Sequence, residues 1–212
     1  AIIVYFAVPK IPFRVRPGII SNKLFNFEFF RGALIILLML TIIRALAILS
    51  FVVLMPFHWA KYHYTTMLIG IFIALFSIFG GISNYFGGQI ANIIGRKQVL
   101  KYSFLLAMPF FFGSIYLTKY HFLSGIIFVI AGFLINSSVS VNIVMAQKSK
   151  PNHVGVVSGL VGGFCWGIAS ISLTPIGFFA NTLGIKTVLT IISSLLIAGY
   201  FLTSKINDEN PD

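Results

Sequence analysis

The chain has 212 residues, 58% of them hydrophobic and 9% charged, with a mean hydropathy of +0.99 and a formal net charge of +11. So apolar a composition excludes a soluble globular domain. The fifteen basic residues are spread over short connections and form no dense patch, which excludes a nucleic-acid partner, and the single Cys165 excludes a disulfide framework or a thiolate metal site.

In chain order, the first element is AIIVYFAV, residues 1–8, an apolar run too short to cross a bilayer. A secretory signal has its charges ahead of the apolar core; no basic residue precedes this run and the chain does not begin with Met, so it reads as the tail of a preceding transmembrane helix. Residues 9–32, mixed in Pro, Gly, Asn and basic residues, read as a cytoplasmic inter-domain linker. Apolar runs of about 20 residues then predict six spans, at 33–56, 65–87, 99–118, 122–145, 155–181 and 185–203. They make one all-α membrane domain over residues 33–204, followed by a cytoplasmic tail at 205–212.

Lys and Arg accumulate on the cytoplasmic side of such a domain. Eleven of the fifteen fall on one side: Lys10, Arg14, Arg16, Lys23 and Arg31 before the first span, Arg96, Lys97 and Lys101 after the second, Lys148 and Lys150 after the fourth, and Lys205 at the end. Lys61, Lys119 and Lys186 fall on the other side, and Arg44 lies within a span. Both ends of the domain are therefore expected in the cytoplasm, together with all four acidic residues, Glu28, Asp208, Glu209 and Asp212.

The connection after the second span is GGQIANIIGRKQVL, residues 87–100. On charge alone it is an ordinary positive-inside loop. Gly87 and Gly88 have no side chains to keep two backbones apart, and Arg96 and Lys97 suit anionic headgroups and helix C-terminal carbonyls. The spacing Gly88-x-Ile90-Ala91-Asn92-x-x-Gly95-Arg96-Lys97-x-x-Leu100 closely resembles the signature loop of the major facilitator superfamily, found between the second and third spans of each six-helix half. Two positions depart from that pattern: Asn92 stands where the family has an acidic residue, and Ile93 where a basic residue usually follows. The resemblance implies a cytoplasmic gate loop at Gly88, Asn92, Gly95, Arg96 and Lys97, and Asn92, which supplies no full charge, implies a weaker lock.

A second stretch, IVMAQKSKPNHVGVVSGLVGGFCWGIASISLTPIGFFANTLGI at 143–185, resembles the fosmidomycin-resistance branch of that superfamily, with Gln147 at a position of the inner gate region. The resemblance implies six transmembrane helices forming one half of a twelve-helix major facilitator fold in a bacterial inner membrane. It implies as partners the N-terminal six-helix half of the same polypeptide, the lipid bilayer, a small-molecule substrate and protons. The implied activity is proton-coupled export of drugs or small metabolites by alternating access, with no cofactor and no metal.

Several residues in these spans have their own physics. Gly155, Gly159, Gly163 and Gly167 recur every four positions and form a small-residue ridge. It reads either as a static packing seam or as a surface on which the helix rocks, and Pro175 is placed to kink the same helix. Arg44 lies about 16 Å into the first span at 1.5 Å per residue, and burying it there costs roughly 2.5–3.5 kcal/mol without a partner. That partner is a backbone carbonyl, a carboxylate elsewhere in the protein or an anionic substrate. Asn136, Ser137, Ser140 and Asn142 in the fourth span either glue helices or line a cavity. Arg44, Asn136, Ser140 and Trp166 are the candidate substrate-cavity residues, and Trp59, Tyr62 and Tyr64 suit an aromatic belt at the outer interface.

No span contains Asp or Glu, so a proton-relaying carboxylate is expected outside these six helices. His58, His63, His121 and His153 lie near the surfaces, where histidine is more often solvated than a relay. There is no HExxH and no buried acid pair, so an enzyme finds little support. A structural or assembly membrane protein without transport activity is the alternative to a transporter.

Overall fold

The computed structural model describes residues 32–206. The expected helix tail at 1–8, the linker as far as residue 31 and the chain beyond residue 206 lie outside the described residues. Lipid offers no hydrogen bonds to a bare peptide group, so an apolar chain crossing it satisfies its backbone as helix. The described residues follow that demand, with helices α1 (Ala33–Ala60), α2 (Thr66–Ile94), α3 (Arg96–Tyr116), α4 (His121–Asn136), α5 (Val139–Ser149), α6 (Val154–Gly159), α7 (Cys165–Thr182) and α8 (Ile185–Ser204). Six stretches are long and apolar enough to span a membrane. The fourth, His121–Ser149, is α4 and α5 with a break between them. The fifth, Pro151–Thr182, joins a 3-10 turn at Pro151–His153, α6, a π turn at Leu160–Phe164 and α7.

α1 is central: it packs on α7 and α8 and touches α5, while α2 packs on α4, and α3 on α4 and α8. Over half of the apolar window of α1, 56%, is buried, against 22% for α2 and for the fifth span, whose outer faces meet no other described helix. One end of the bundle gathers the start of α1, the α2–α3 junction, the α5–α6 junction and the end of α8. We call it the basic face, after Arg96, Lys97, Lys148 and Lys205. The other is the aromatic face.

Three expectations are corrected here. The first span was expected to close at Pro56 but α1 continues through it to Ala60, because His58 and Trp59, 3% and 0% exposed, are packed into the bundle and hold the last turn. The connection at 87–100 is nearly all helix: α2 runs through Gly87 and Gly88 to Ile94, and α3 starts at Arg96. Gly95 alone turns the chain, at φ 94° and ψ 146°, a conformation open to glycine and strained for other residues. The outer aromatic belt is instead an internal clasp. The indole Nε1 of Trp59 donates to Ser124 Oγ (3.0 Å), Ser124 Oγ donates to Ser114 O (2.7 Å), and the Tyr64 ring stacks on Trp59 with centroids 5.4 Å apart. Tyr64, 6% exposed, donates to Thr118 O at 3.1 Å. Burial pushes its phenol up from the ordinary tyrosine range, against a smaller opposite pull from Ser124, and keeps it a neutral donor.

Candidate functional site

The fourth span breaks at Ser137–Ser138, where two consecutive hydroxyls bond the carbonyls of the preceding turn. Ser137 Oγ donates to Leu134 O (2.7 Å) and Ser138 Oγ to Ile135 O (3.1 Å), the local side-chain bonding that loosens a helix interior. Neighbours grip the break from two sides. A Cβ on Gly87 of α2 would collide with the carbonyl oxygen of Ser137, so only glycine lets α2 approach so closely. From α1, Arg44 Nη1 donates to the carbonyl and to the hydroxyl of Ser138, each at 3.3 Å.

Arg44 is 1% exposed, so the expectation that it opens onto a cavity is corrected: it is enclosed between α1 and the break. Of the partners left open to it, the structure supplies the backbone carbonyl. Its Nε is buried without a hydrogen-bond partner, and all four Asp and Glu lie outside the described residues. One turn further on, Asn142 Nδ2 donates to Thr41 Oγ1 (2.6 Å) and Leu37 O (3.3 Å), so α5 stays tied to α1 below the break.

Asn136 and Ser140 turn to α2. A Cβ on Gly80 would stand 2.9 Å from Asn136 Nδ2, and Ser140 Oγ donates to Asn84 O at 2.9 Å. Both are half-buried in helix contact, which is how hydrogen-bonding side chains join helices in lipid. Trp166 is half-buried on α7, and no hydrogen bond among the described residues joins it to Arg44, Asn136 or Ser140.

The π turn interrupts the fifth span at the same depth. Its centre, Gly162, lies eleven residues from Pro151; Ser138 lies eleven from Ser149, and Arg44 eleven from Ala33. At 1.5 Å per residue each is about 16 Å from the basic face. Between the two interruptions, α5, the 3-10 turn and α6 form a half-height hairpin, closed at its end by Gln147 Nε2 donating to Ser158 Oγ at 2.8 Å. The sequence shows the ingredients, a run of hydroxyls at Ser137–Ser138 and the Gly162–Gly163 pair. α7 runs from Cys165 to Thr182 with Pro175 inside it.

Gly155, Gly159, Gly163 and Gly167 are exposed, and a Cβ on any of them would meet nothing within 4 Å among the described residues. The ridge thus faces away from the six-helix bundle. At the basic face, a cavity of about 820 Å³ is lined by Asn92, Gly95, Arg96 and Lys97 of the expected gate loop, with Lys148 of α5 and Lys205 at the end of α8. Gly88 lies off this cavity, 4.0 Å from Ser140 Oγ when a Cβ is added. No group of three or more His, Cys, Asp or Glu among the described residues is placed to hold a metal ion.

The model of the Major Facilitator Superfamily matches residues 2–174. A fosmidomycin resistance protein of Escherichia coli (strain K12) is 33% identical over 129 residues, 61% of this chain and 31% of the relative. An uncharacterized MFS-type transporter of Bacillus subtilis (strain 168) is 27% identical over 143 residues, 65% of this chain and 33% of that protein. The chain thus spans about a third of the length of these relatives.

Proposed function

From a chain that belongs to the Major Facilitator Superfamily, built as a six-helix half of that fold in the membrane, we infer the C-terminal half of a secondary transporter that exports a small molecule or drug in exchange for protons by alternating access. Export is supported by the relative whose name is a resistance protein. The N-terminal half is the missing partner, joined through residues 9–32, and the outer faces of α2 and the fifth span are its docking surface. Those faces are poorly buried within this half, and the open glycine ridge lies on one of them. The host membrane is a bacterial inner membrane, with the basic face and both ends of the domain in the cytoplasm.

The observation that carries the reading is the half-height hairpin between two interruptions at one depth. A helix pair free at Ser137–Ser138 and at Leu160–Phe164 swings at the basic face while α4 and α7 stay seated. Broken and π-bulged helices recur at functional sites for this reason. Gln147 keeps the hairpin's two arms together, the gate loop closes over its end, and Arg44 latches the upper hinge. Asn136, Ser140 and Trp166 border the substrate path when the hairpin moves. The coupling carboxylate belongs to the other half, since the spans here contain none.

The test is full-length protein in liposomes under an imposed proton gradient, screened with phosphonate, cationic and neutral drugs. The expected result is gradient-driven movement of at least one class, abolished by Gly163→Leu at unchanged expression. No movement of any class with or without a gradient, from folded protein, overturns the reading.

A further inference from the structure

A swing of the hairpin about Ser137–Ser138 has to break one bond in particular. Asn142 lies four residues, about 6 Å, below Ser138, and its Nδ2 holds α5 to α1 through Thr41 Oγ1 at 2.6 Å and Leu37 O at 3.3 Å. The Thr41 hydroxyl spends its one proton on Leu37 O at 2.9 Å, so toward Asn142 it acts only as an acceptor. That fixes the amide, with Nδ2 on Thr41 and Oδ1 directed away from it. Asn142 is 0% exposed, and its Oδ1 is buried without a hydrogen-bond partner among the described residues.

The complement of this acceptor stands one turn away on α1. Arg44 follows Thr41 by three residues, about 4.5 Å along the helix, and its Nε is a buried donor that also lacks a partner among the described residues. Both side chains belong to residues that already meet on one oxygen, since Ser138 O accepts from Arg44 Nη1 at 3.3 Å and from the Asn142 N–H at 3.0 Å. The two bonds that Arg44 makes, each 3.3 Å long and each to a neutral group, exceed the about 2.7–2.9 Å of a charge-assisted bond. No Asp or Glu among the described residues offers it a negative partner. Thr41 keeps its own proton on Leu37 O if Asn142 leaves, so departure strands nothing on α1.

We propose that Asn142 is a positioning residue with two seats on α1. With the hairpin against α1 its Nδ2 donates to Thr41; with the hairpin displaced its Oδ1 accepts from Arg44 Nε. A group about 6 Å below a pivot moves by only a fraction of that length, and the long side chain of Arg44 follows it. The exchange satisfies two stranded buried atoms in one step and offsets the bond lost to Thr41. Each position of the hairpin then has its own set of bonds, which is what a two-state element requires. The proposal rests on reading the break as a hinge.

The experiment uses full-length protein in phosphatidylcholine vesicles under an imposed proton gradient, with spin labels at Lys148 and Gln98. It reads the ratio of the displaced to the resting hairpin population. Asn142→Asp puts a carboxylate where the stranded acceptor lies, and the ratio is expected to rise about ten-fold, the scale of exchanging a neutral hydrogen bond for a charge-assisted one. Adding Arg44→Met cancels that rise. Thr41→Val, which removes only the resting seat, raises the ratio about three- to ten-fold. A second readout places no new charge in the membrane: the Arg44 Nε–H resonance of arginine-labelled wild-type protein, identified by its loss in Arg44→Met, takes two positions in the proportion of the two distances, and Asn142→Leu leaves one. An unchanged ratio in folded Asn142→Asp overturns the exchange, as does a rise that persists with Arg44→Met, or a single Arg44 resonance beside two distances; each leaves the hinge standing. A single distance in wild type and in every variant removes the hinge and the exchange together.

Discussion

The two faces of the bundle are built from opposite materials. At the aromatic face, Trp59 is wedged among Tyr64, Phe72 and Phe128, with ring centroids 5.4, 5.6 and 5.2 Å away, and its N–H is spent on Ser124. Large rings there fill notches left by glycine: Phe72 occupies the space a Cβ on Gly125 would need, and Phe76 that of Gly132. Toward the basic face the fourth and fifth spans run on beyond their mid-depth interruptions as a half-height hairpin, whose arms are joined by a single hydrogen bond from Gln147 to Ser158, and a cavity remains. Rings interlocked with glycines have one arrangement, whereas a hairpin held by exchangeable hydrogen bonds has several. On the proposed reading, one end anchors the helices and the other moves.

Substitutions break or sharpen this contrast in order of size. Trp59→Ala empties the clasp and should lower stability by about 3–5 kcal/mol, seen as a large fall in melting temperature of purified protein. Gly87→Ala drives a Cβ into the backbone of Ser137, which cannot rotate away, and should cost about 1–3 kcal/mol. Gly159→Ala is its control: with nothing within 4 Å in this half, it leaves the six-span bundle unharmed and affects only what docks on the ridge. Ser158→Ala removes the bond from Gln147 and should cost about 1 kcal/mol, with hydrogen exchange rising in α5 and α6 but not in α4. Arg44→Met should change melting temperature least. Removing an uncompensated buried cation in exchange for an apolar side chain of similar length is neutral or stabilising, and Ser138 O still accepts the N–H of Asn142 at 3.0 Å. Transport should nevertheless fall, which separates a latch from a structural prop.

The six spans were readable because lipid forces any long apolar run into helix, whatever its neighbours. The connection at 87–100 was legible through the resemblance of its glycine and charge spacing to the superfamily's signature loop, and Asn92, Gly95, Arg96 and Lys97 line one cavity. What failed was everything that depends on which helix lies beside which. The depth of Arg44 follows from counting residues, but its enclosure follows from α5 packing on α1. Trp59 sits at a span end like a belt residue, and only the arrival of α3 and α4 beside it makes it core. The interruption of the fifth span lies where Gly162 and Gly163 permit a wider turn, a place the sequence reading did not single out.

The central claim, that this half hinges internally at mid-depth so that the hairpin swings at the basic face, is tested most directly by two distances in the same full-length protein. Spin labels at Lys148 and Gln98 report the hairpin against α3 at the basic face, and labels at Lys61 and Lys119 report the aromatic face. With a transported substrate and a proton gradient, the first distance is predicted to split into two populations while the second keeps one. If both distances stay single under every condition, the half moves as one rigid body and the hinge at Ser137–Ser138 is contradicted.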